Sequence, residues 1–193
     1  MSFLIVGLGN VGREYADTRH NMGFLVLDRF AGASNASFTT MRYGSLTQTR
    51  VAGRDIYLLK PSTYMNLSGK AVRYWMREER IPLENLLVVV DDIALPLGTI
   101  RMRKQGSDGG HNGLRSLNEC LNTTEYTRLR VGIGNHFGEG QQIDYVLGAW
   151  DEQEEKLLPF VVDHCLEAIR TWVLLGVNEA MNRFNCSITD RNN

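Results

Sequence analysis

The sequence predicts an α/β protein whose mixed sheet is sandwiched between helices. Three observations carry that prediction. The apolar runs Phe3 to Val6 and Leu86 to Val90 read as strands buried on both faces. Segments with a helical apolar period lie between the strand-like stretches, the longest from Asp151 to Leu175. Tyr43 to Val51 and Asp55 to Lys60, with Gly53 between them, read as a β-hairpin, so the sheet is not purely parallel.

Size and composition agree with this class. At 193 residues, 43% hydrophobic and 22% charged, the chain has the length and apolar content of one globular domain with its own core. The formal net charge of −1 excludes a generally basic, sticky protein. The charges are nonetheless segregated. Leu95 to Asn135 carries six basic against three acidic residues, whereas Glu139 to Glu179 carries nine acidic against two basic. Such segregation suits a face meant for an anion, although two solvated surfaces would give the same counts. Cys120, Cys165 and Cys186 form no close pair, a reduced, cytoplasmic pattern. No segment reaches the roughly 18 apolar residues that a membrane span needs.

In chain order, Ser2 to Gly7 is the first strand. A polar, glycine-rich loop follows, and Asn21 to Ala33 reads as a helix. After the hairpin, Pro61 stops the strand. Ser68 is a candidate N-cap for a helix running to about Arg80, with Val72, Trp75 and Met76 as its apolar stripe. Asn85 to Asp91 is a central strand, and Thr99 to Lys104 another, with basic residues on one side. Gln105 to Gly113 is a glycine-rich loop leading into a helix from Leu114 to Asn122. Arg128 to Gly134 is a strand. Asp151 to Leu175 reads as a long helix, with Pro159 predicting a kink or a later start. Its stripe is Leu157, Leu158, Val161, Val162, Cys165, Ile169 and Trp172. Asn178 to Asn185 is a last short helix, and the tail from about residue 187 frays.

Gly7-Leu8-Gly9-Asn10-Val11-Gly12 matches the GxGxxG dinucleotide fingerprint. That fingerprint needs a helix opening at the glycines and an acid at the end of a second strand about 20 residues on. Arg13 to His20 has no apolar period, and Asp28 falls inside the predicted helix, so the nucleotide reading is set aside.

His20 ends the same loop. A lone histidine is more often structural, but a partner is at hand in Asp91, at the carboxyl end of the most buried strand. A carboxylate there would accept the Nδ1 proton, fix the tautomer and raise the basicity of the ring, giving a base able to activate water. Asp92 is the rival partner, and both aspartates also suit plain strand-end capping. Asn10, Asn21, Asn66 and Asn112 all lie at junctions between loops and elements. Turn chemistry explains such asparagines. Amides that position a carbonyl, a peptide and a water explain them equally, and Asn66 or its neighbours would suit a developing oxyanion. No nucleophile elbow is present, so direct attack by water is the simpler scheme.

Gly109 to Gly113 precedes a helix, with Asn112 as its N-cap. Together with Arg103, Lys104, Arg128 and Arg130 this has the makings of a phosphate clamp. A metal site built from His20, His111, His136 and an aspartate competes, but no metal-ligand spacing supports it.

With these residues in hand, the chain resembles the bacterial peptidyl-tRNA hydrolases. The matching blocks are Leu8-Gly9-Asn10 with Tyr15 and Thr18-Arg19-His20-Asn21; Lys60-Pro61 with Thr63-Tyr64-Met65-Asn66 and Ser68-Gly69; the strand ending in Asp91; Gly109 to Gly113; Arg128 to Gly134; and Tyr145 to Gly148. Val11 departs from a usual proline, Asp92 from a usual glutamate, and Asp108 places a negative charge near the supposed clamp.

The resemblance implies a single α/β/α catalytic domain without metal or cofactor, usually monomeric, with no obligate protein partner. It implies hydrolysis of the ester between peptide and tRNA, with His20 as general base supported by Asp91. Asn10, Asn66 and Asn112 would position the substrate, and Asn10 would distinguish peptidyl-tRNA from free aminoacyl-tRNA. Tyr15, Tyr64, Met65 and His111 would lie along the bound 3′ end, and Arg103, Lys104 and Arg130 would meet acceptor-stem phosphates. A non-catalytic RNA-binding relative is the second reading. It would have no need of His20, Asp91 and the asparagines together.

Overall fold

The computed structural model describes residues 1–192. Seven strands form one sheet: β1 (Ser2–Gly7), β2 (Thr39–Met41), β3 (Gly44–Val51), β4 (Arg54–Pro61), β5 (Leu86–Asp92), β6 (Ile100–Arg103) and β7 (Thr127–Gly132). Their order is β2-β3-β4-β1-β5-β7-β6. The four central strands are parallel, and the antiparallel hairpin β3–β4 and the edge pair β6–β7 make the sheet mixed. Ala52 and Gly53 both take positive φ (48° and 81°), as a tight two-residue hairpin turn requires.

Period-two alternation splits the apolar strand residues between the two faces. Phe3 and Ile5 of β1 and Leu87 and Val89 of β5 pack with α1 (Met22–Ala33), α5 (Glu152–Leu175) and α6 (Val177–Phe184). Leu4 and Val6 with Leu86, Val88 and Val90 pack with α2 (Ser68–Glu78) and α3 (Asn112–Leu121). Two cores thus sandwich the sheet, giving the three layers expected. Burying each Val, Leu or Ile contributes about 1.5–3 kcal/mol before conformational entropy is counted.

Several local expectations are corrected. Ser68 does not cap α2, because its hydroxyl turns back to donate to Met65 O at 2.7 Å. Asn112 does not cap α3; the cap is His111, whose Nδ1 accepts from Gly113 N–H and Leu114 N–H. Pro159 neither delays nor interrupts the assigned helix, since α5 runs from Glu152 behind an Asp151–Glu154 capping box. Leu157 is exposed rather than part of the buried stripe. A short helix, α4 (Gln142–Val146), follows the loop after β7 and has no apolar period to announce it. Where the tail was expected to fray, Ile188–Asn192 forms a 3₁₀ turn tied to the body by Ile188 N–H to Gly98 O at 2.8 Å.

The chain leaves β1 toward β4 on one side and leaves β5 toward β7 on the other. The carboxyl ends of β1 and β5 therefore flank a topological switch point, where open α/β sheets place their ligands. Gly7 and Gly23 let the start of α1 close onto this point. A Cβ on Gly7 would lie 2.3 Å from Gly23 O, and one on Gly23 would lie 2.5 Å from Leu8 N. No helix among the described residues is long and apolar enough to cross a membrane.

Candidate active site

The loop after β1 does not open a helix at its glycines. It makes 3₁₀ turns at Arg13–Tyr15 and Arg19–Asn21, and α1 begins only at Met22. The dinucleotide geometry is therefore missing, as the lack of apolar period required. Asn21 is buried and folds the loop on itself. Its Oδ1 accepts from Asn10 N–H at 2.7 Å and its Nδ2 donates to Asn10 O at 2.9 Å. Asn21 thus fixes the backbone that carries the Asn10 side chain, a positioning role that the sequence offered only as one asparagine among four.

His20 reaches across to the end of β5. Its Nδ1 lies 3.0 Å from both carboxylate oxygens of Asp91. Asp91 is buried and its side chain only 3% exposed. The same Oδ1 also receives His111 Nε2 at 3.1 Å. Because His111 Nδ1 accepts the two helix-start amides, the proton of that ring resides on Nε2 and is donated to Asp91. Asp91 in turn holds the Nδ1 proton of His20, which leaves His20 Nε2 with the free lone pair.

Burial raises the Asp91 pKa, but the facing His20 and His111 rings and their hydrogen bonds outweigh it, so the carboxyl lies well below the usual carboxylate range. Burial lowers the His20 pKa, and the Asp91 charge and hydrogen bond more than offset it, so the net value is raised above 6.5. Asp92 does not compete. Its Oδ1 accepts from Ala94 N–H at 2.8 Å and its other oxygen lies 3.9 Å from Arg130.

A small open cavity of about 110 Å³ is lined by His20, Asp91, Asp92, His111, Asn112, Arg130 and residues of α4. Asn10, Tyr15 and Tyr64 border a second hollow, with Tyr64 81% exposed. Asn66 is exposed in the 3₁₀ turn Met65–Leu67. Met65 is placed differently from expectation. It is buried, and a Cβ on Gly113 would lie 2.8 Å from its sulfur, so it forms a floor joining this turn to the start of α3. Asn66 and Asn112 consequently stand on neighbouring turns. His111 also differs from a free substrate contact, because both of its ring nitrogens are engaged within the protein.

The basic residues divide. Arg103 is exposed on the edge strand β6, three register positions below the end that pairs with Val131. Lys104 borders a separate hollow with Met1, Arg54 and Trp172. Arg130 donates to Ser107 O at 2.5 Å. Arg128 is fully buried and donates to the carbonyls of Gly106, Ser107, Thr124 and Tyr126, so it braces the loop and is not a phosphate ligand. The amides expected to bind an anion are taken as well: Asp108 Oδ1 accepts from the loop's Gly110 N–H at 2.8 Å, and His111 Nδ1 accepts from the helix-start Gly113 and Leu114.

One ligand-type atom each from His20, Asp91 and His111 lies within 4.8 Å of the others. The trio nonetheless suits a metal poorly, because the proton on His111 Nε2 occupies the position where a lone pair would be needed. His136 borders a different hollow.

A switch-point cleft holding a carboxylate-oriented histidine, with Asn112 beside it, is the kind of site that α/β enzymes build. The peptidyl-tRNA hydrolase family model matches residues 4–192. A peptidyl-tRNA hydrolase of Parabacteroides distasonis is 52% identical over 185 residues, spanning 96% of this chain and 99% of its own. One from Bacteroides fragilis is 54% identical with the same coverage. The crystal structure of peptidyl-tRNA hydrolase from Acinetobacter baumannii matches with a TM-score of 0.91 at 35% identity, over 96% of each chain. The chain belongs to the peptidyl-tRNA hydrolase family and is a hydrolase.

Proposed function

We propose that the chain acts as a single, monomeric, cytoplasmic catalytic domain that cleaves the ester joining a peptide to the terminal ribose of tRNA, with His20 as general base. The observation that carries this reading is the His20–Asp91 pair. Nδ1 is held at 3.0 Å from the carboxylate, and the opposite nitrogen is left to take a proton. Water attacks the ester carbonyl while His20 Nε2 accepts its proton. The tetrahedral oxyanion takes hydrogen bonds from amides beside Asn66. Collapse breaks the bond to the ribose oxygen, which recovers the proton from His20. The peptide leaves as a carboxylic acid, which gives its proton to solvent, and the tRNA leaves with a free hydroxyl.

In this reading Asn10 and Asn112 hold the peptide end, and Tyr15 and Tyr64 lie along the 3′ nucleotide. Asn10, a neutral amide, favours a peptide group over a free ammonium. Arg103, Lys104 and Arg130 follow the acceptor stem through phosphates and shape rather than base sequence. The test is release of peptide from an N-blocked aminoacyl-tRNA by the wild type and by His20→Ala. A loss of about a hundredfold or more is expected for removal of a general base; undiminished turnover would take His20 out of the mechanism.

A further inference from the structure

Arg19 precedes the proposed base, and nothing in the proposed reaction uses it. Its guanidinium forks onto Glu154, with Nη2 at 2.8 Å and Nε at 3.4 Å from the two carboxylate oxygens. Its Nη1 donates to Tyr145 O at 3.1 Å. The guanidinium also lies 4.3 Å from the Tyr145 ring centre and 5.6 Å from that of Trp150. The pair is largely buried, with side chains 11% and 14% exposed. The backbone repeats the attachment: Arg19 N–H donates to Gly148 O at 3.1 Å, and Thr18 forms a β-bridge with Ala149. Gly148 leaves room for this, since a Cβ there would lie 2.9 Å from Arg19 Nη1.

What is attached is one wall of the cleft. Tyr145 lies in α4, and Gln142, Ile143 and Val146 of that helix line the cavity containing His20. A further anchor of the wall is Tyr145 Oη, donating to Ile133 O at 2.6 Å just beyond β7. Glu154 also accepts Asp151 N–H at 2.8 Å, so the same carboxylate caps α5 and grips Arg19. A five-residue helix has too few internal hydrogen bonds to hold itself in place. A buried ion pair is also a poor device for stability alone, because desolvation offsets most of its attraction.

We propose that Arg19 is a positioning residue that locks the α4 wall against the His20 turn, fixing the width of the substrate cleft. This rests on the hydrolase reading above, with α4 as a substrate-contacting wall. Loosening the lock leaves the His20–Asp91 pair intact and weakens the hold on substrate, so its effect falls on KM. A role in fold stability alone would lower the active fraction, and hence kcat, with KM unchanged.

The experiment measures kcat and KM for wild type, Arg19→Lys, Glu154→Gln and the double variant, below their melting temperatures, with hydrogen exchange across 138–148. Wild-type turnover and its loss in His20→Ala test the hydrolase reading separately. Each single variant is expected to raise KM about tenfold with kcat within about threefold, and the double variant to be no worse than the singles, as for two residues of one lock. The α4 amides should exchange faster in each variant. Unchanged KM in Arg19→Lys and Glu154→Gln, additive losses, or unaltered exchange in α4 would each overturn the proposal.

Discussion

His111 donates from Nε2 to the same Asp91 oxygen that His20 Nδ1 approaches at 3.0 Å, so one buried carboxylate serves two imidazoles. Asp91 and His111 have opposite effects on the basicity of His20. Asp91 draws a proton toward His20, and the hydrogen bond from His111 Nε2 disperses part of that carboxylate charge. This sets a pair of opposed pH predictions. With the His20 pKa raised above 6.5, activity needing the neutral ring should climb through an acid limb above that value. Stability has the opposite sign: the protonated ring favours the fold below its unfolded pKa, and that contribution is lost as pH rises through the folded one. Asp91→Asn removes the charge, so the acid limb should move down while the plateau falls about a hundredfold. His111→Asn keeps a helix cap but releases Asp91, so the limb should move up. Rate profiles of kcat/KM against pH decide it; limbs moving the same way would break the shared-carboxylate account.

The close approach of Gly7 and Gly23 predicts a contrast within one helix. Gly23→Ala places a methyl group 2.5 Å from both Leu8 N and Leu8 O. It should cost about 1–3 kcal/mol as an overpacked contact and pull the His20 turn away from Asp91, lowering activity as well. Gly32→Ala in the same helix meets nothing within 4 Å. It should stabilise by about 0.5–1 kcal/mol through helix propensity, leaving turnover alone. Urea midpoints for the two variants give the test, and a neutral Gly23→Ala would show that α1 can shift without consequence.

Legibility in the sequence followed the range of the interaction. Strands β1 and β5 were readable because burial on both faces leaves unbroken apolar runs, and the helix start at Met22 because Arg13 to His20 lacks any apolar period. The partnership of His20 with Asp91 was legible as a histidine ending the loop after β1 and a carboxylate at the end of β5, the place where an α/β sheet gathers its chemistry. The tautomer of His111 was not, because it depends on Gly113 and Leu114 amides aimed by the local turn. Nor was the burial of Arg128. An arginine on a strand reads as surface, and two of the four carbonyls that pair it come only when the Gln105 to Gly110 loop folds over β7. Helix α4 escaped because its five residues are held by Arg19 and Ile133 rather than by an apolar stripe of their own.

Asp108 occupies the position where a substrate phosphate was expected, bonded to Gly110 N–H and 3.8 Å from Arg115. Asp108→Asn keeps an acceptor for that amide and removes the negative charge from the rim of the His20 cavity. The expected result is a KM for peptidyl-tRNA lowered about threefold, kcat unchanged and a steeper dependence on salt. An unaltered KM would show that the carboxylate lies outside the path of the tRNA.

Arg103 and Arg128 pair in register on β6 and β7, yet one is exposed and the other fully buried. They should separate cleanly when tRNA binding is titrated against salt. Arg103→Gln removes an exposed cation from the edge strand, so the slope of log affinity against log salt should fall by about one, with stability nearly unchanged. Arg128→Met leaves the carbonyls of Gly106, Ser107, Thr124 and Tyr126 without their donor. Its expected cost is about 3 kcal/mol in stability, from lost hydrogen bonds to a charged group. Any fall in affinity should then come with an unchanged salt slope, because a buried guanidinium releases no counterion from RNA. A reduced slope in Arg128→Met, or an unchanged one in Arg103→Gln, would reassign the phosphate contact between the two strands.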